Sequence, residues 1–182
     1  MNTALLLIDI QNDYFPGGAM ELAGSVEAGV QAGKLIEVFR RKALPVIHVQ
    51  HISTRPGATF FVPGTRGLEI HPCVSPREGE TIIQKNFPNS FRDTPLLEHL
   101  RENKITRLVI AGMMTQMCVD STVRAAADLG FACSLAHDAC ATKSLSFGGV
   151  TVQAENVQAA FLAALNGLFA KVQSVAELCV EL

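Results

Sequence analysis

Residues 108–124 read LVIAGMMTQMCVDSTVR. LVIA is a continuous apolar run, the pattern of a strand buried on both faces. Gly112 bends the chain, and from about Gln116 the spacing predicts a helix that runs to Leu129 and stops at Gly130. Strand, glycine turn and helix in that order form the repeating unit of a parallel α/β sheet. Cys118 falls on the first helical turn, where backbone N–H groups lack partners and the dipole is positive. That setting predicts a thiol pKa lowered from about 8.5 toward neutrality. A free cysteine is also a common small core residue, so its position alone leaves both roles open.

The rest of the chain repeats the unit. Ala4–Ile10 is a buried strand broken only by Asp9. Residues 26–42 carry apolar positions at roughly helical period, and Pro45 opens a second strand over 45–50. Short strands follow at 81–84, 107–111, 131–136 and 172–175, with helices over 94–103, 116–129 and 152–169. Thr94, Pro95 and Glu98 resemble a helix start. The helix over 152–169 has more apolar positions than one stripe needs, so it is expected to be buried on a second side, as at a subunit interface. The prediction is one domain over 1–182, an α/β fold of three layers (α/β/α) with a mostly parallel sheet of about six strands.

Composition narrows the classes. The net charge of −2 offers no field for nucleic acid or an anionic membrane. No apolar run reaches the ~18 residues of a membrane span, and MNTALLLIDIQND lacks the basic start of a signal peptide. The five cysteines (73, 118, 133, 140 and 179) form no C-x-x-C or zinc-spaced cluster. A reduced, cytoplasmic protein acting on a small molecule is the expectation.

Asp9, Lys85 and Cys118 each fall at the end of a different predicted parallel strand. All three ends share the sheet edge where such folds bind ligands. A carboxylate can take the thiol proton and return it to a leaving amine, and an ammonium supports both charges. His137 lies at the same edge as an alternative base. The irregular stretch 53–76 is long enough to serve as a wall or lid. His48, His51 and His71 have no neighbouring carboxylate at ligand spacing, so surface or core roles are expected for them. Phe15 is either a lid over the sheet edge or a wall of a pocket.

With these residues in view, the chain resembles the isochorismatase-like cysteine hydrolases, which include nicotinamidases, N-carbamoylsarcosine amidase, ureidoacrylate hydrolases and streptothricin hydrolase. The resemblance rests on ALLLIDIQNDYFPGG around Asp9, IIQKNFPNSF around Lys85, LVIAGMMTQMCVDSTVRAAADLGF around Cys118, and HDACAT at 137–142. It implies a catalytic Asp9–Lys85–Cys118 triad and a non-proline cis peptide between Met113 and Met114. It also implies an oxyanion hole made by the Met114 and Cys118 N–H groups, and a thioester intermediate in the hydrolysis of a small amide, carbamoyl or imide compound. Phe15 and Phe91 are candidate apolar walls; Gln11 and Thr115 are candidate polar contacts. No cofactor is expected. Nicotinamidases of the family carry an Asp-x-His-type metal site after the second strand, but here the segment is His48-Val-Gln-His-Ile-Ser without the aspartate. No metal is therefore expected and nicotinamide is disfavoured, with nicotinamidase-type activity kept as an alternative. True isochorismatases do not rely on a nucleophilic cysteine, so Cys118 argues against vinyl-ether cleavage. A redox-active or sensing thiol protein is another alternative, since a low-pKa thiolate is also an oxidation site. A non-catalytic binding subunit is a third. Family habit and the apolar helix over 152–169 point to a homo-oligomer, a dimer or larger.

Overall fold

Alternation along the first strand assigns the layers. In β1 (Thr3–Ile8), Leu5 and Leu7 join one apolar cluster, while Ala4, Leu6 and Ile8 join another on the opposite face. Successive strand side chains point to opposite faces, so a wholly apolar strand requires cover on both. In the computed structural model, which describes residues 2–182, α1 (Ser25–Arg41) and α5 (Val175–Glu181) cover the first face. The second is covered by α2 (Leu96–Glu102), α3 (Asp120–Asp128) and α4 (Ala154–Leu165).

The remaining strands are β2 (Val46–His51), β3 (Thr81–Lys85), β4 (Arg107–Met113), β5 (Ala132–Ala141), β6 (Leu145–Phe147), β7 (Val150–Val152) and β8 (Lys171–Gln173). Five of them join β1 in one six-stranded sheet of order β3-β2-β1-β4-β5-β8, every neighbouring pair parallel. This is the expected three-layer α/β architecture. The chain winds outward from β1 to β3, then restarts at β4 on the other side of β1. The carboxyl ends of β1 and β4 therefore flank a topological switch point, where such sheets open a crevice.

Three details differ from the sequence reading. β5 does not stop at residue 136. Its register with β4 shifts between Ile110 and Gly112, and the strand resumes with Gly112 opposite Cys140 and Met113 opposite Ala141. HDACAT is thus mostly strand, because the irregularity re-pairs the chain instead of ending it. Residues 145–152 form an antiparallel hairpin around Gly148 and Gly149. The apolar helix is shorter than 152–169: α4 covers Ala154–Leu165 and buries only Val157 and Leu165.

Gly112 shows why that position excludes side chains. Its φ is 145°, and a β-carbon there would strike the Ile8 carbonyl oxygen and approach the Ile8 nitrogen to 2.8 Å. Gly112→Ala is expected to destabilise the fold by on the order of 3 kcal/mol, because strain and backbone overlap act together at a central strand pair. A urea midpoint equal to wild type would rule this out. No helix among the described residues is long and apolar enough to cross a membrane.

Candidate active site

Asp9 is the first residue beyond β1, in the left-handed region at φ 52°. Aspartate tolerates that conformation better than most residues. Its N–H donates to the Val49 carbonyl at 3.0 Å, which fixes the turn beside β2. Lys85 ends β3 and lies opposite His51 in the parallel register. Cys118 lies in a single π-helical turn, Thr115–Val119, between β4 and α3. The Met113–Met114 peptide just before that turn is cis. Two hydroxyls tie the turn to the end of β5: Thr115 Oγ1 donates to the Ala141 carbonyl at 3.2 Å, and Thr142 Oγ1 donates to Gln116 Oε1.

The three predicted residues meet at the crevice. Asp9 and Lys85 side chains are fully buried, with Nζ 2.7 Å from Asp9 Oδ2. Nζ also lies 3.0 Å from the Phe87 carbonyl and 3.0 Å from His51 Nδ1. Asp9 Oδ1 has no hydrogen-bond partner, an unusual state for a buried carboxylate oxygen. A carboxylate oxygen of Asp9, a ring nitrogen of His51 and Cys118 Sγ all lie within 4.8 Å of one another.

Electrostatics corrects one expectation. Burial, and then the Asp9 carboxylate, push the Cys118 thiol well above its ordinary range; Lys85 opposes this without reversing it. The positive turn of the helix start does not overcome desolvation at a residue only 4% exposed. Cys118 thus rests as a thiol. Burial works against the Lys85 ammonium, but Asp9 and then Cys118 hold its pKa above the usual value. Burial lowers His51 to about 4, so its imidazole is neutral at pH 7 and accepts from the ammonium through Nδ1.

Asp9, His51 and Cys118 are spaced as metal ligands would be. The Lys85 ammonium, bonded to both Asp9 and His51, already supplies the positive charge that such a ligand set would attract. A cation there would face that ammonium at close range, so these residues do not fit a metal ion.

A cavity of about 350 Å³ opens above the three residues. Cys118 and Met114 border it, with Tyr14, His51, Phe60 and residues of the 53–59 loop. Its walls correct the remaining site assignments. Phe15 is not a wall: its ring stacks on His71 with centroids 3.5 Å apart and packs against Gly29. Phe91 stacks on Phe131 at 6.2 Å, packed into the apolar cluster under α2 and α3, and does not line the cavity. The aromatic surfaces are instead Tyr14, one residue earlier in the loop, and Phe60. Gln11 is buried and donates from Nε2 to the carbonyls of His51 and Leu68 at 3.0 and 2.7 Å, while its Oε1 accepts the His51 N–H at 2.8 Å. Gln11 therefore clamps the 66–68 segment to β2 and does not face the cavity. Thr115 is spent on Ala141. His137 is exposed on the outer part of β5 and is not among the residues lining the cavity. His51 is the histidine at the site; β2–β3 register was the missing signal.

The sequence of residues 3–177 matches the isochorismatase domain. The chain is 50% identical over 174 residues to YddQ, an uncharacterized isochorismatase family protein of Bacillus subtilis, covering 96% of this chain and 97% of that protein. It is 33% identical over 140 residues to a streptothricin hydrolase of Streptomyces noursei, covering 76% of this chain and 54% of that enzyme. The crystal structure of an isochorismatase from Pseudomonas putida KT2440 superposes with a TM-score of 0.91 at 34% identity, covering 97% of this chain and 89% of that one. The chain accordingly belongs to the isochorismatase family and is a hydrolase of that family.

Proposed function

We propose that the protein hydrolyses a small amide, carbamoyl or imide substrate through a thioester on Cys118. The observation that carries this reading is the Asp9 carboxylate: one oxygen is held by Lys85, the other is unpartnered, and a thiol lies nearby on the floor of a cavity. A buried base beside a protonated thiol takes the proton as the nucleophile attacks, so no resting thiolate is needed. Sγ bonds to the carbonyl carbon while Asp9 accepts the thiol proton. The C–N bond then breaks, and Asp9 returns that proton to the departing nitrogen. Water, deprotonated by Asp9, attacks the thioester, and the S–C bond breaks to release the acid and restore the thiol. Lys85 stays an ammonium throughout and balances the charge on Asp9 and on the departing sulfur. The N–H groups of Met114 and Cys118, both bordering the cavity, are assigned to the carbonyl oxygen. A relative named streptothricin hydrolase supports this reading. The raised Cys118 pKa weakens the redox-sensor alternative, since sensor thiols are thiolates.

The test is intact-protein mass and ammonia release during incubation with a pool of small amides, comparing wild type with Cys118→Ala. An acyl adduct on Cys118 in wild type alone supports the thioester; ammonia release by Cys118→Ala at the wild-type rate would sink it.

We further infer a homo-oligomer in a reducing, cytoplasmic setting. All five cysteines are free thiols. The β6–β7 hairpin and the turn after α4 leave Phe147 93%, Val150 63% and Leu168 81% exposed. A two-stranded hairpin is marginal alone and gains from cover. Light scattering is expected to return a multiple of the 19.5 kDa chain mass; a single-chain mass would rule the assembly out.

A further inference from the structure

The cavity has a chemical asymmetry that the triad does not use. Tyr14, Pro56, Phe60, Pro88, Met114 and Met117 make much of its wall apolar, and no lining residue is acidic. Lys85 lies below the floor with its charge matched by Asp9, and His51 is neutral. Arg55 is then the unmatched charge on the wall. It stands at the tip of the 53–60 loop, where Ala58 N–H closes a turn onto the Arg55 carbonyl at 3.1 Å. The loop base is fixed by Ser53 N–H donating to the Phe61 carbonyl at 3.0 Å. Phe61 N–H in turn donates to the buried Asp13 carboxylate at 2.6 Å. Among the described residues, Arg55, Arg41, Arg66 and Arg101 have no carboxylate partner, whereas Arg40, Arg77, Arg92, Arg107 and Arg124 do; of the four without one, Arg55 alone lines this cavity. Its guanidinium is near enough to His51 to disfavour protonation of that ring.

We propose that Arg55 is a specificity-determining residue that binds a carboxylate on the substrate, so that the preferred substrates are monoamides of small dicarboxylic acids or similar anionic amides. This rests on the hydrolase reading of Cys118, and it adds the chemical class of the group distal to the scissile bond. Guanidinium pairs with carboxylate in a two-pronged geometry, which fixes orientation as well as position. An anion held at the rim would direct the amide end toward Cys118 at the floor. The same field repels a cationic substrate.

The experiment uses full-length Cys118→Ala protein, which keeps the cavity and cannot form the acyl adduct. Calorimetry gives the Kd of the monoamides of malonic, succinic, glutaric and adipic acids, each against its neutral diamide. For at least one chain length the monoamide is expected to bind about tenfold tighter than the diamide, the size of one charge-assisted contact, and less so at high salt. Adding Arg55→Gln should abolish that advantage, and Arg55→Lys should keep part of it. No preference at any chain length, or a preference unchanged in Arg55→Gln, would overturn the assignment. Wild-type turnover separates the two claims. Tight, Arg55-dependent binding with no ammonia released counts against hydrolysis and leaves the anion site standing. Ammonia released equally from monoamides and diamides supports hydrolysis and removes the role of Arg55.

Discussion

Cys118→Ala is expected to lower kcat by on the order of 10⁶-fold, the scale seen when a covalent nucleophile is removed from an otherwise intact triad. The loss is chemical and not structural. Cys118 is buried in the π-helical turn, but that turn is fastened by Thr115 and Thr142 through groups the substitution leaves alone. The far-ultraviolet spectrum and the urea midpoint should therefore stay close to wild type. Cys118→Ser should be nearly as inactive, because a hydroxyl is harder to deprotonate than a thiol and burial already disfavours the anion here. An activity loss below about tenfold in both variants would mean that another group carries the reaction, since one covalent step removed costs far more than that.

Lys85→Met is expected to be the most damaging single change to stability, at about 3–5 kcal/mol. The reason is what it leaves behind. The Asp9 side chain is fully buried, its Oδ2 faces Lys85 and its Oδ1 has no other partner. Without the ammonium, a bare carboxylate would remain in the centre of the fold. Adding Asp9→Asn to Lys85→Met should recover most of the lost stability, while both variants remain inactive. Urea denaturation of wild type, Lys85→Met and the double variant checks each part. A double variant no more stable than Lys85→Met would show that the deficit is lost packing and not an unmatched charge.

Much of this was legible in the sequence because the signals were local. LVIAG and LLLID announce buried parallel strands and IIQK a shorter one, which proves to be the half-exposed edge strand, by apolar runs ending in a glycine or a charge, and the shared sheet edge brings their ends together. What the sequence withheld depends on register and on which way a side chain turns. His51 reaches the site because it lies opposite Lys85 across a strand pair. Phe15 and Tyr14 are adjacent, yet one stacks on His71 and the other lines the cavity. The expected low thiol pKa fails for a similar reason. A helix start favours the anion, but desolvation depends on the depth of Cys118, which spacing does not report.

The wall of the cavity is tied down by the same short loop that begins at the base. After Asp9, Gln11 holds residues 51 and 68, and Asp13 holds Phe61. Asp13 also packs so tightly on Gly67 that no side chain fits there. Both anchor points lie outside the 54–59 tip, which is largely exposed. The tip can therefore change residue by residue without moving the base, the ammonium or the thiol. Selection for new substrates has a replaceable part to work on, separated from the chemistry by two internal clamps, and one hydrolytic core can serve many small compounds by exchange of six residues.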